Sequence, residues 1–239
     1  MNYRGNPHAI EVWGEFACFT SPMKVERWSY PFITPSAARG IFDAIFVNRH
    51  EFRWEIERIE ILSEPKYFAL MRNEVKEKGP SEPEVRRWMA DPSQIRPILA
   101  DGDTLTTGDA GKGRTQRQTM ALRDVRYRLS ARIVPWPGAP KAMAAYEDQF
   151  IRRLERGQHF IHPSLGCREF PAWWGAPSGQ PAWQGDVDAG WMLYDVFDLS
   201  KPGEATSKAC ISLFRASAQQ GVVHVPQYMS DQVRKAVIL

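Results

Sequence analysis

The hydrophobic pattern opens on a strand. From Ala9 to Phe19 apolar and polar positions alternate, with Ile10, Val12, Phe16 and Cys18 on one face and Glu11 and Glu15 on the other. This is the two-residue period of a half-buried strand. Thr34-Pro35-Ser36 supplies a capping residue and a proline suited to a first helical turn. The helix predicted over Ala37–Val47 lines up Ala38, Ile41, Phe42 and Ile45 as one apolar stripe facing a core. Phe52–Leu62 reads as a second strand. Phe52, Trp54 and Ile56 share one phase and Ile59 and Ile61 the other, which predicts a bulge or bend near Glu57-Arg58. Lys66–Met71 continues the strand signal.

Between Glu74 and Gln118 the periodicity dissolves among Pro80, Pro83, Pro92 and Pro97 and several glycines. That leaves a loop-rich insertion, with a short helix at Glu84–Met89. Thr119–Val134 is the clearest strand: Val125, Tyr127, Leu129, Ala131 and Ile133 point one way, and Asp124, Arg126, Arg128, Ser130 and Arg132 the other. Lys141–Arg156 is an amphipathic helix stopped by Gly157. Three strand-like runs close the chain: Trp191–Leu199, Ala209–Arg215 and Gly221–Val225. The order strand–helix–strand–strand–helix–strand fits an α+β, ferredoxin-like (RRM-like, split βαβ) domain over residues 1–172. The insertion lies near 74–118, and a small antiparallel β-sheet domain follows over 173–239.

Composition changes this picture little. At 239 residues, 43% hydrophobic and 25% charged, the chain fits one large domain or a domain with a smaller companion. No apolar run approaches the roughly 20 residues of a membrane helix, and Met1–Pro7 lacks the pattern of a signal peptide. The expectation is a cytoplasmic protein. Cys18, Cys167 and Cys210 are too far apart for a zinc motif and are expected to be free thiols.

Charge distribution says more than the net charge of +3. Lys112, Arg114, Arg117, Arg123, Arg126, Arg128 and Arg132 face a single acid, Asp124, in that stretch. A basic loop running into a basic strand suits an RNA backbone; a merely solvated strand face is the competing reading. Gly108–Arg114 is no phosphate loop, because Gly113 follows Lys112 where Ser or Thr is required and Thr106 replaces the first glycine. Asp101-Gly102-Asp103 lacks the distal ligands of a calcium loop. His159 and His162 have a spacing that suits one metal on a helix, but Gly157 and Pro163 flank them and no acidic cluster joins them. No metal and no cofactor are expected. Of Trp173, Trp174, Trp183 and Trp191, most are expected in the core and one or two free for base stacking.

Five segments carry a family resemblance: WGEFACFTSPMKVERWSY (Trp13–Tyr30), PSAARGIFDAIF (Pro35–Phe46), RNEV (Arg72–Val75), TQRQTMALRDVRY (Thr115–Tyr127) and LGCREF (Leu165–Phe170). In this order they resemble the subtype I-C CRISPR-associated endoribonucleases of the RAMP superfamily. The resemblance implies a ferredoxin-like domain followed by a small antiparallel sheet. It also implies a precursor-CRISPR-RNA repeat hairpin as substrate, cut without metal at its 3′ base to leave a 2′,3′-cyclic phosphate. The other subunits of the subtype I-C surveillance complex are the implied protein partners; duplex DNA is a further candidate ligand.

The resemblance also directs attention to departures. Family members place a catalytic Tyr at the end of the first helix, where this chain has Phe46, and a Lys–His pair ahead of the basic strand, where it has Arg117-Gln118. Arg117 can neutralise a phosphate but is a poor base. His50, just after the helix, has a suitable ordinary pKa, and Tyr30 is placed to orient a ribose. The expected catalytic neighbourhood is thus Tyr30, Phe46, His50 and Arg117. The expected RNA contacts are Lys24, Arg27, Arg39, Lys112, Arg114, Arg123, Arg126 and Arg128.

Overall fold

The computed structural model describes residues 5–21, 27–98, 100, 113–202 and 209–235. The chain forms two compact units, Met1–Phe68 with Met120–Leu239, and Ala69–Thr119. Lys24 and Lys112 lie outside the described residues, as does most of the glycine-rich stretch 108–114.

The first unit is built on a mixed α and antiparallel-β scaffold. Its strands are β1 (His8–Ala17), β2 (Arg27–Trp28), β3 (Phe52–Ile61), β4 (Lys66–Val75, which runs on into the second unit), β5 (Arg114–Pro135, entering from it) and β6 (Trp173–Gly175). Later strands are β7 (Val187–Asp195), β8 (Ser212–Ala218), β9 (Val222–His224) and β10 (Val233–Lys235). Helices α1 (Pro35–Ile45) and α3 (Met143–Glu155) complete the unit. The large sheet has the order β6-β1-β5-β3-β9, with β2 and β4 also pairing β5; β10-β8-β7 form a separate three-stranded sheet. Two strands of the last segment therefore join the large sheet, β6 on β1 and β9 on β3.

Local chemistry sets these elements. The Thr34 hydroxyl caps α1 by accepting from the Ala37 N–H at 3.2 Å, and Pro35 occupies the first turn. The helix ends with its apolar stripe at Ile45, two residues before the predicted end at Val47. Phe46 is extended there, and its carbonyl accepts from the Trp54 indole N–H at 2.8 Å. The predicted irregularity in the second strand is present: the β3–β5 register shifts between Ile56 and Arg58. The shift returns Ile59 and Ile61 to the face already occupied by Trp54 and Ile56, so all four are buried.

The core lies between that face and the helices. Phe42 and Phe150 pack on Trp54 at 4.9 and 4.7 Å, and Phe52 meets Tyr146 at 5.3 Å. Ile10, Val12, Leu129 and Ile133 fill the sheet side with no exposed surface. Burying each such side chain stabilises the fold by about 1.5–3 kcal/mol. The second unit, by itself, holds the outer part of β4, helix α2 (Glu82–Ala90), a 3-10 turn (Pro92–Gln94) and the start of β5. Helix α2 is present where the short helix was predicted and starts with a Ser81–Glu84 capping box. None of its residues is buried.

Candidate functional site

The C-terminal end of α1 organises the first candidate region. Phe46 is not a surface group: it is 4% exposed and packs on Phe52 at 5.1 Å. Its position belongs to the core, and its ring has no group to donate or accept a proton. His50 is exposed on the turn between α1 and β3. The Tyr30 hydroxyl donates to the Trp191 carbonyl on β7 at 3.3 Å. Arg117 belongs to the second unit, where its Nε is 3.3 Å from Glu74.

Beside α1 lies a cleft of about 60 Å³ lined by Arg39, Asp43, Arg49, Arg53, Trp136 and Phe197, among others. Its cations are largely compensated within the protein. Arg39 binds Asp195 through Nε and Nη2 (2.7 and 3.0 Å) and Asp43 through Nη1 (2.6 Å). Arg53 pairs with Glu55 at 3.2 Å and lies over Trp136. Burial pushes the Asp43 carboxyl up despite the adjacent Arg39. Arg39, expected as an RNA contact, is thus the tie between α1 and β7.

The arginine face of β5 also differs from a free basic strip. Glu11, on the opposing strand, is fully buried and accepts from Arg126 (2.8 Å), Arg128 (2.9 Å) and the Ser178 N–H (2.9 Å). Burial opposes ionisation of Glu11, but the hydrogen bonds from Arg126, Ser178 and Arg128 outweigh it and hold its carboxyl down at about 2. Arg128 also binds Glu60 at 2.6 Å and the Gln180 carbonyl at 2.6 Å, and the Arg126 guanidinium lies over Trp13 at 5.1 Å. Residues 178–183 cover this part of the sheet, with the Trp183 N–H donating to Ile61. The guanidiniums of Arg126 and Arg128 are therefore committed to internal acids. Their strand alternation gives no hint of this, because the covering segment lies about 50 residues away in sequence. Arg27 is 3.4 Å from Glu169, and the exposed Arg123 is 3.3 Å from its neighbour Asp124. Arg114 is exposed at the start of β5.

A second region brings together residues that sequence reading weighed separately. His159 and His162 are exposed, with ring centroids 5.5 Å apart. Trp174 meets both edge-on at 5.2 and 6.0 Å, and Trp173 meets His162 at 5.6 Å. The LGCREF segment makes this possible. Its backbone folds back on itself, with the Leu165 N–H donating to Phe170, the Ala172 N–H to Pro163, and a bridge between Ser164 and Pro171. His162 and Trp173 are thereby set side by side. Gly166, at φ +87°, lets the loop approach Cys18, whose N–H donates to Leu165. On the other side, the Phe160 N–H donates to Ala44 at 2.7 Å and Arg153 Nε donates to Ile45 at 2.6 Å, docking the loop on the end of α1. Phe160, Ile161 and Trp173 are 57%, 70% and 55% exposed, an apolar patch around the imidazoles. Among the described residues no group of three metal-ligating side chains includes the pair.

The comparisons with known proteins bear on what these regions serve. The Cas_Cas5d family model, described as CRISPR-associated protein (Cas_Cas5), matches residues 9–226. Two curated relatives are named CRISPR pre-crRNA endoribonuclease Cas5d. That of Thermus thermophilus is 37% identical over 231 residues, covering 91% of this chain and 90% of its own. That of Mannheimia succiniciproducens is 34% identical over 238 residues, covering 95% and 97%. A solved structure described as a CRISPR-associated protein superposes with a TM-score of 0.63 at 18% identity, over 98% of this chain and 99% of its own, a likeness of fold. Matched along nearly its whole length, the chain belongs to the Cas5d family of CRISPR-associated proteins.

Proposed function

We propose that this chain is an endoribonuclease that binds and cleaves precursor CRISPR RNA. The observation that carries the reading is the likeness, over nine-tenths or more of both chains, to two relatives named for that activity. The strand order β6-β1-β5-β3, with α1 between β1 and β3 and α3 between β5 and β6, supports a ferredoxin-like core of the kind that presents RNA.

In this reading the repeat hairpin is cut at its 3′ base by intramolecular attack. The 2′-hydroxyl displaces the 5′-oxygen at the adjacent phosphate, leaving a 2′,3′-cyclic phosphate and a 5′-hydroxyl. The chemistry requires in-line alignment, a proton acceptor and cations near the phosphorane, and no metal. The protein then stays with the guide RNA among the other surveillance subunits. Incubating the repeat RNA with excess protein in chelator tests this. Product with a cyclic phosphate end supports it, and intact RNA overturns it.

A second reading, a noncatalytic subunit holding the 5′ handle of the guide, is favoured by Phe46, whose buried ring cannot carry a proton. Tight, salt-sensitive repeat binding without product distinguishes it.

A further inference from the structure

Resting on the endoribonuclease reading, we propose that His159 and His162 are its proton-transfer pair, with Trp173 as the stacking platform that holds the nucleotide beside the scissile phosphate.

Transfer to the 2′-oxygen needs two proton movements, one off the attacking hydroxyl and one onto the leaving oxygen. The chain has five histidines. His8 is packed against Trp54 and Phe150, and burial lowers its pKa in spite of Glu147. His50 and His224 are exposed on a turn and on β9. Only His159 and His162 have rings in contact with each other among the described residues, 5.5 Å between centroids, close enough for both to reach one phosphodiester.

The surroundings suit RNA rather than a structural role. Both imidazoles are exposed, and Trp174 and, for His162, Trp173 meet them edge-on. These edge contacts favour one ring orientation, which assists a proton-transfer pair. Trp173 presents an exposed face suited to a base, as sequence-tolerant RNA platforms do. Arg152, Arg153 and Arg156 at the end of α3 lead directly into the loop and outnumber Glu155 there. Arg153 stacks on Phe160 at 4.1 Å.

Geometry also assigns the roles. The nearest partner of His159 Nδ1 is the Gly157 carbonyl at 3.3 Å. A carbonyl only accepts, so in the neutral ring this contact favours the proton on Nδ1 and leaves the Nε2 lone pair for the substrate. His159 Nε2 takes the 2′-hydroxyl proton as the O2′–P bond forms. The P–O5′ bond breaks, and protonated His162 gives its proton to O5′. The products are the cyclic phosphate and a 5′-hydroxyl. Exchange with water then restores the starting protonation.

The test is single-turnover cleavage of the repeat RNA by the full chain and by His159→Gln, His162→Gln and the control His224→Gln, with binding measured in parallel. Each loop substitution should slow cleavage by about 10²–10⁴-fold while affinity changes less than about threefold. The control should match wild type. A substrate with sulfur in place of the bridging 5′-oxygen has a leaving group that needs no proton. It should restore the rate of His162→Gln and not that of His159→Gln. Trp173→Ala should weaken binding by about 10-fold. Wild-type cleavage with unimpaired loop variants would overturn the pair and leave the endoribonuclease reading intact. Equal rescue of both variants by the sulfur substrate would overturn the assignment of roles. An inactive wild type would remove the reading itself, and the pair with it.

Discussion

Arg39 on α1 and Asp195 on β7 form a two-pronged ion pair, Nε to Oδ2 at 2.7 Å and Nη2 to Oδ1 at 3.0 Å, with Asp195 only 1% exposed. This pair ties the large sheet's first helix to the three-stranded sheet. Removing one partner strands a buried charge. Arg39→Ala should therefore cost about 3–5 kcal/mol in denaturant unfolding, and adding Asp195→Asn should recover part of the loss. A loss below about 1 kcal/mol would mean that water screens the pair.

Glu11 makes the acid limb of stability measurable. Its carboxyl, held down at about 2 in the folded protein, returns to an ordinary value of 4.5 when unfolded. A depressed acid contributes stability that is full above its unfolded pKa and is lost as pH falls through the folded one. Wild-type stability should thus decline between about pH 4.5 and about pH 2. Glu11→Gln should be less stable at pH 7 and show a flatter decline across that window. Urea midpoints at successive pH values check this; parallel curves for the two proteins would contradict it.

Arg128, committed to Glu11 and Glu60, should matter more to stability than to the RNA backbone. If it touches no phosphate, Arg128→Ala leaves the slope of log affinity against log salt unchanged, whereas losing one phosphate contact lowers it by about 0.7–0.9. Salt titration of repeat-RNA binding distinguishes the two.

Gly166 is the hinge of the loop that sets His162 beside Trp173. Its φ of +87° disfavours any side chain, and a Cβ would run into the Cys18 carbonyl. Gly166→Ala should lower both the thermal midpoint and cleavage. Phe46→Leu, by contrast, should lower the midpoint while leaving the single-turnover rate within about threefold of wild type. A large, selective loss of rate in Phe46→Leu would place Phe46 in the chemistry after all.

Much of this fold is legible in the sequence, because local signals coincide with it. Thr34-Pro35 starts α1, Gly157 follows the end of α3, and the phase change in Phe52–Leu62 marks the register shift in β3. Helix α2 and the strands β7 and β8 overlap predicted runs, but the run Gly221–Val225 supplies β9 to the large sheet, and β10 at Val233–Lys235 has no counterpart in the sequence pattern. The site is less legible, since it depends on long-range closure. Alternation on β5 shows that Arg126 and Arg128 share a face, but not that Glu11 and Ser178 meet them there. The spacing of His159 and His162 is visible, but their meeting with Trp173 depends on the fold-back of residues 163–172. Arg39 reads as a surface cation on a helix because its partner, Asp195, is 156 residues away.

The most direct measurement is single-turnover incubation of the repeat RNA with wild-type protein in chelator, with product ends identified by mass. The expected result is one cut at the 3′ base of the hairpin, with a 2′,3′-cyclic phosphate and a 5′-hydroxyl. Intact RNA at saturating protein, or a product carrying a 5′-phosphate, would contradict it.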